Sequence, residues 1–225
     1  MPSPSLPRHS PTTFPWEDCE EICEETLAEA RALGLTVTCS EDRRAFILGE
    51  SRIEPPLVFP IGPLCTSLDH FVENLPVEPG LHVVLLMQAG ASSLAVFEGG
   101  EVLRTKTFKR YVVRGSGRAQ PTHLNAKGKS RYGSRLRLQN ARAILEETNE
   151  KLHDWWSEFG TPETVFYNAP VRLWADLRSA KPVPPFTESL SLVRIPLDLP
   201  KPTTDVLLRA YRSLCYGRIS TIDAS

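Results

Sequence analysis

"LHVVLLMQAGASSLAVFEGGEVLRTKTFKRYVVR", residues Leu81 to Arg114, carries the pattern from which the fold class follows. It breaks into the runs "LHVVLLMQ", "SSLAVFEG", "EVLRTKTF" and "KRYVVR", separated by "AGA" and "GG". Runs of Val, Leu, Phe and Thr punctuated by glycine predict a meander of antiparallel hairpins. "HVVLLM" is continuously apolar and suits a strand covered on both faces, whereas "VLRTKTF" alternates and should turn one face to water. The fold class expected is α+β or mixed α/β: a mixed sheet flanked by helices.

The chain downstream supplies those helices. Leu138, Ala141, Leu145, Thr148, Leu152, Trp155 and Phe159 are spaced by threes and fours, which predicts a helix over 134–159 ended by Gly160 and Pro162. "ETVFYNAP" then reads as a strand, "VRLWADLRS" as a short helix, "SLSLVRIPL" as a strand and "TTDVLLRAYRSLCYGR" as a closing helix. This βαβα order requires at least one parallel pairing. Trp155, Trp156, Phe159, Phe166 and Trp174 fall on apolar faces or strands and read as core, and His70 and His82 read as packed side chains.

Upstream, residues 1–16 hold five prolines and little to bury, so they read as a disordered tail. Residues 17–78 form an N-terminal part expected to pack on a main domain of residues 79–225. In it, "EDCEEICEETLAEARALG" predicts an acidic helix capped by Gly34, followed by strands in "LTVTCS" and "RRAFILG". "CTSLDHFVENL" predicts a helix whose N-terminus Thr66 or Ser67 can cap.

A net charge of −1 conceals how the charge is distributed. Between Arg104 and Arg142 lie twelve of the 26 Lys and Arg and none of the 27 Asp and Glu, so a cationic patch sits on an otherwise acidic chain. Clustered like charge destabilises a compact state, and its natural counterpart is a polyanion. Within the patch, "RGSGRAQPTHLNAKGKSRYGS", residues 114–134, interrupts the last strand as a loop of about twenty residues, long enough to imply function or disorder. Arg131, Arg135, Arg137 and Arg142 crowd the start of the following helix, where each cation opposes the helix dipole at about 0.3–1 kcal/mol. Packing alone would not select that arrangement.

Several chemistries lack their residues. The sequence has no GxSxG, HExxH or GxxxxGK[ST] pattern and no paired Cys/His clusters, and no apolar run spans a bilayer. "GSGRAQ" begins like a dinucleotide fingerprint, but Gln120 and Pro121 stand where it needs a glycine and a helix start. No metal, dinucleotide or other cofactor is expected, and no membrane. Five cysteines, an odd count without metal-site spacing, suit a reducing compartment, and with no secretion-signal pattern the location expected is cytoplasmic.

What remains in the loop is Gln120, a carboxamide that donates and accepts hydrogen bonds and does not titrate. It cannot act as a general base; it can orient a water, or turn its own N–H toward an oxyanion, in a site completed by other molecules. Gly115 and Gly117 permit close approach to another surface, and Tyr111, His123 and Tyr132 can stack on bases.

"KRYVVR" followed by "GSGRAQ", and then "KGKSRYGSRLRLQNA" entering a long helix, resembles the Gly-x-x-Gln release-factor domain of ribosome quality control. "HVVLLMQAGASSLAVFEGGEVLRTKTF" and "IPLDLPKPTTDVLLRAYRSL" also resemble segments of that family, so the similarity extends over roughly His82 to Leu214. The family is related to the central domain of eukaryotic and archaeal class-1 release factors, a mixed sheet packed with helices. The resemblance implies that Gly117 and Gln120, within a basic loop over 115–133, enter the peptidyl-transferase centre of the large ribosomal subunit. There the loop would promote cleavage of peptidyl-tRNA and free a stalled chain. It implies further that ribosomal RNA and the tRNA's terminal hydroxyl complete the site, and that Lys109, Arg110, Arg114, Arg118, Lys127, Lys129, Arg131, Arg135, Arg137 and Arg142 contact RNA. Arg118 and Ala119 occupy the variable positions of the motif. With no zinc-finger, ankyrin or coiled-coil pattern in the chain, a segregase partner is not carried over. Two other readings stay open: a metal-independent RNase acting on the tRNA CCA end, with His123 as acid or base, and a non-catalytic binder of ribosomal RNA.

Overall fold

The computed structural model describes residues 11–111 and 129–222, and for residues 129–134 the backbone path alone. The chain divides into two compact units. One runs to Pro79 and takes in the chain again from Tyr211; the other is Gly80–Ala210.

The second unit is built on the stretch from Leu81. Its strands β5 (His82–Gln88), β6 (Ala91–Glu98) and β7 (Glu101–Lys109) form an antiparallel meander. Gly99 and Gly100 join β6 to β7 with φ of 55° and 85°, the doubly left-handed geometry that a two-residue hairpin needs and glycine supplies without strain. Strands β8 (Thr164–Asn168) and β9 (Ser191–Arg194) add in parallel on the other side, giving the order β7-β6-β5-β8-β9. The sheet is mixed, as expected, with β7 at one edge. All six residues of "HVVLLM" are buried.

Helix α3 (Lys129–Phe159) lies on the face carrying Val83, Leu85, Met87, Leu94, Val96 and Val165, to which it contributes Leu145, Leu152 and Trp155. Helix α4 (Val171–Ser179) adds Leu177 to the same core. Thr148 Oγ1 donates to Ser92 Oγ at 2.9 Å, so the one polar position in the helical stripe has a buried partner on the sheet. Tyr167 and Trp174 stack with centroids 3.9 Å apart, and Trp156 and Phe186 extend the aromatic group. His82, Val84, Leu86 and Phe166 are buried on the opposite face, where Thr107 meets Thr204 at 3.3 Å at the start of α5 (Thr204–Leu214).

The first unit holds a five-stranded sheet: β1 (Thr12–Pro15), β2 (Thr38–Cys39), β3 (Phe46–Leu48), β4 (Ser51–Glu54) and β10 (Tyr216–Thr221), in the antiparallel order β1-β10-β4-β3-β2; β2 and β3 fall in the expected runs "LTVTCS" and "RRAFILG", and β1, β4 and β10 were not expected. Helix α1 (Cys19–Leu33) ends at Gly34 as expected, and α2 (Leu68–Glu73) is capped by Ser67, whose hydroxyl accepts from the His70 amide at 3.2 Å. Phe46 and Phe71 pack at 5.3 Å in the core of this unit.

Five expectations are corrected. "KRYVVR" is not a further strand over its described residues: β7 ends at Lys109, Arg110 and Tyr111 belong to no strand, and 112–114 lie outside the described residues. Residues 12–15 are a strand instead of tail, because β10 offers them an edge and Phe14 is buried there. The closing helix stops at Leu214, and Tyr216 onward pairs with β1 and β4; residues from Tyr211, placed by sequence in the main domain, therefore belong to the first unit. The long helix begins at Lys129, which takes residues 129–133 out of the loop expected over 115–133. Leu138, expected in the buried stripe, is 56% exposed, and the first buried side chain described on α3 is Ile144.

Candidate nucleic-acid interface

The cationic patch is carried by β7, by the segment 112–128 and by the first half of α3. Strand alternation sorts the cations of β7. Arg104 and Lys106 share parity with Phe108, which packs against the core beneath α3, and Lys109 has the opposite parity. On the α3 side, Arg104 donates to Glu158 at 2.7 Å, and Lys106 Nζ stands 5.3 Å from the Phe108 ring. Arg110, just past the strand, makes a two-toothed pair with Glu147: Nε to Oε2 at 3.3 Å, and a terminal nitrogen to Oε1. The hydrogen bond and charge of Glu147 push the Arg110 guanidinium still further toward its protonated form. Arg104 and Arg110 therefore spend much of their charge on α3, while Lys109 is exposed and joins no ion pair among the described residues.

Helix α3 has two electrostatic halves. Arg135 and Arg142 are exposed and Arg137 half-buried, and no carboxylate occurs before Glu146. From there Glu147 and Glu158 turn to β7 and Lys151 pairs with Asp154 at 2.6 Å. Arg135 and Arg142 thus stand before Ile144, the first buried residue described on the helix, and the acids after it.

Two interactions fix the point at which the chain leaves β7. The Arg110 amide donates to Gly90 O at 3.0 Å, and Asn140 Nδ2 donates to Tyr111 O at 2.8 Å. The end of β7 is thereby tied to the β5–β6 turn and to α3.

Arg114, Gly117, Arg118, Gln120, His123 and Lys127 lie outside the described residues, and for Lys129 and Arg131 only the helical backbone is described. Of the remaining named residues, Lys109, Arg110, Arg135, Arg137 and Arg142 fall on β7, its exit and α3, the two elements that flank 112–128. Sequence reasoning missed Asn140 and Glu147. Parity with Phe108 would have turned Arg104 and Arg110 toward α3, but nothing in the sequence names their partners. His82, read as packed, is 1% exposed with its ring edge-on to Phe166 at 5.2 Å, and burial lowers its pKa to about 4. All five cysteines are free thiols, and among the described residues no group of three or more His, Cys, Asp or Glu could hold a metal ion. Among the described residues no helix is long and apolar enough to cross a membrane.

A mouse protein named tRNA endonuclease ANKZF1 is 31% identical over 140 residues, 60% of this chain. The chain spans 19% of that relative's length. The solved structure named Vms1 mitochondrial localization core aligns over 89% of this chain and 83% of its own, at 13% identity and a TM-score of 0.49. Residues 82–222 match the family described as Bacteroidetes VLRF1 release factor, which takes in β5 through β10, the segment 112–128 and α3. The chain belongs to the Bacteroidetes VLRF1 release factor family.

Proposed function

We propose that this protein acts on the large ribosomal subunit in the cytoplasm and cleaves peptidyl-tRNA, freeing nascent chains from stalled complexes. The observation that carries the reading is the run of twelve cations without one acid, which brackets a Gly-x-x-Gln sequence at Gly117–Gln120 in a release-factor family member. Cationic side chains on Lys109, Arg114, Arg118, Lys127, Lys129, Arg131, Arg135, Arg137 and Arg142 grip RNA phosphates, and Arg110 braces the strand from which the loop departs. Neutralising about six to ten phosphates makes affinity fall 10³–10⁵-fold between 50 and 200 mM salt, so such a patch can dominate binding.

The chemistry asked of the protein is small. Gln120 holds a water against the ester carbonyl that joins peptide to tRNA. The water's oxygen bonds to that carbon, the bond to the tRNA 3′ oxygen breaks, and the water's protons are shared between the new carboxylic acid and the terminal hydroxyl. Ribosomal RNA and the tRNA hydroxyl supply the rest of the site. The free thiols suit a reducing compartment.

A second reading, cleavage within the CCA end of the tRNA, is favoured by the name of the mouse relative, a tRNA endonuclease. One experiment separates the two. Purified large subunits carrying obstructed peptidyl-tRNA are incubated with wild type and with Gln120→Ala, and both the freed peptide and the tRNA 3′ end are analysed. Loss of release in the variant with binding retained supports the water-placing role, and an intact or clipped CCA end names the bond cut. Loss on His123→Ala in place of Gln120→Ala favours the RNase, and equal release from all proteins, or none, removes the hydrolase reading.

A further inference from the structure

The end of β7 is held more firmly than an edge strand requires. Three interactions meet within two residues: the Arg110 amide on Gly90 O, the Arg110 guanidinium on Glu147, and Asn140 Nδ2 on Tyr111 O. Asn140 and Glu147 lie seven residues apart, two turns of α3, so both side chains leave the same face of the helix. That spacing matches neighbouring residues at the strand exit. A similar ion pair farther back along the strand, Arg104 with Glu158, has no accompanying side-chain clamp on the backbone among the described residues. The clip is thus concentrated where the chain departs toward Gly117 and Gln120.

We infer that Asn140 and Glu147 are positioning residues: they clamp the exit of β7 against α3, the helix to which the same segment returns, and so set the direction in which the segment leaves the sheet. This rests on the release reading above. A loop that must deliver one carboxamide to a distant ester gains from a rigid stem, because a misplacement of about 1 Å can cost a hundredfold in rate. The carbonyl of Tyr111 and the guanidinium of Arg110 are groups that α3 can grip without burying a side chain, which leaves the cationic face beside them available to RNA.

The test uses the full chain on large subunits carrying peptidyl-tRNA. Asn140→Asp keeps the shape and removes the donor, and Glu147→Gln keeps the shape and removes the charge. Each is expected to lower the release rate at saturating protein by about tenfold to a hundredfold while the half-saturating concentration stays within about twofold. Glu158→Gln, which breaks the pair at the far end of β7, should release as wild type does. Exchanging the charges, Arg110→Glu with Glu147→Arg, should recover part of the rate lost in Glu147→Gln. Amide hydrogen exchange on the free protein gives a readout independent of activity: the Arg110 amide should exchange about tenfold faster in Asn140→Asp and Glu147→Gln, with β5 and β6 unchanged. Wild-type rates in both variants, equal losses in Glu158→Gln, or a change confined to the half-saturating concentration would overturn the inference. If wild type itself releases no peptide, the release reading falls, and unchanged exchange at Arg110 then overturns the clamp by itself.

Discussion

Arg110 at the exit of β7 and Glu147 on α3 form a two-toothed ion pair, although by sequence Arg110 counts among the cations offered to RNA. The same holds at the other end of the strand, where Glu158 takes Arg104 at 2.7 Å. Carboxylates from the packed half of α3 thus subtract from the patch along β7, while the unpacked half adds to it.

This division sets which cations respond to salt. Arg135→Gln and Arg142→Gln, both at exposed positions, should each reduce the slope of log affinity against log salt by about 0.7–0.9 on large ribosomal subunits. Arg104→Gln should leave the slope within error, because that side chain is already neutralised by Glu158. A titration of subunit binding over a salt series measures both, and equal slope changes for Arg104 and Arg135 would show that the ion pair opens on binding.

Gly217 pairs directly with Phe14 across β1 and β10, and the Phe14 ring occupies the space a β-carbon on Gly217 would need. The same atom would stand 2.8 Å from the Glu54 carbonyl oxygen, and backbone cannot swing aside as a side chain can. Gly217→Ala should cost about 1–3 kcal/mol, read from urea unfolding. Phe14→Leu in the same chain should give a double variant less destabilised than the sum of the two changes, since the residues share one space.

His82 makes stability depend on pH. Burial lowers its pKa from 6.5 to about 4, so between those values the unfolded chain carries a proton that the folded chain does not. Stability from this group is fully present above 6.5 and is lost as pH falls toward about 4, by up to about 3 kcal/mol in order of magnitude. Unfolding midpoints should fall across that window, and His82→Leu should flatten the fall even if it lowers stability overall.

Much of the second unit was legible in local pattern. "HVVLLM" suits a strand buried on both faces, the GG pair a tight hairpin, and the three-and-four spacing from Leu138 to Phe159 a helix on that sheet, although Leu138 itself lies exposed. Each of these is a local periodicity, and local periodicity is written in consecutive residues. The cationic run was legible for the same reason, because charge can be counted without knowing the fold. In the first unit, β2 and β3 were legible in "LTVTCS" and "RRAFILG", but the β1–β10 pairing needed tertiary contact: Thr12–Pro15 and Tyr216–Thr221 are too short and too mixed to declare themselves, and they are strands because segments about two hundred residues apart in sequence meet edge to edge. Tertiary structure alone decided, too, that Arg110 belongs to Glu147 and Tyr111 to Asn140. An ion pair and a carbonyl clamp between separate elements are properties of two surfaces brought together by packing, and helical spacing names partners three or four residues apart, not one 37 residues away such as Glu147 for Arg110.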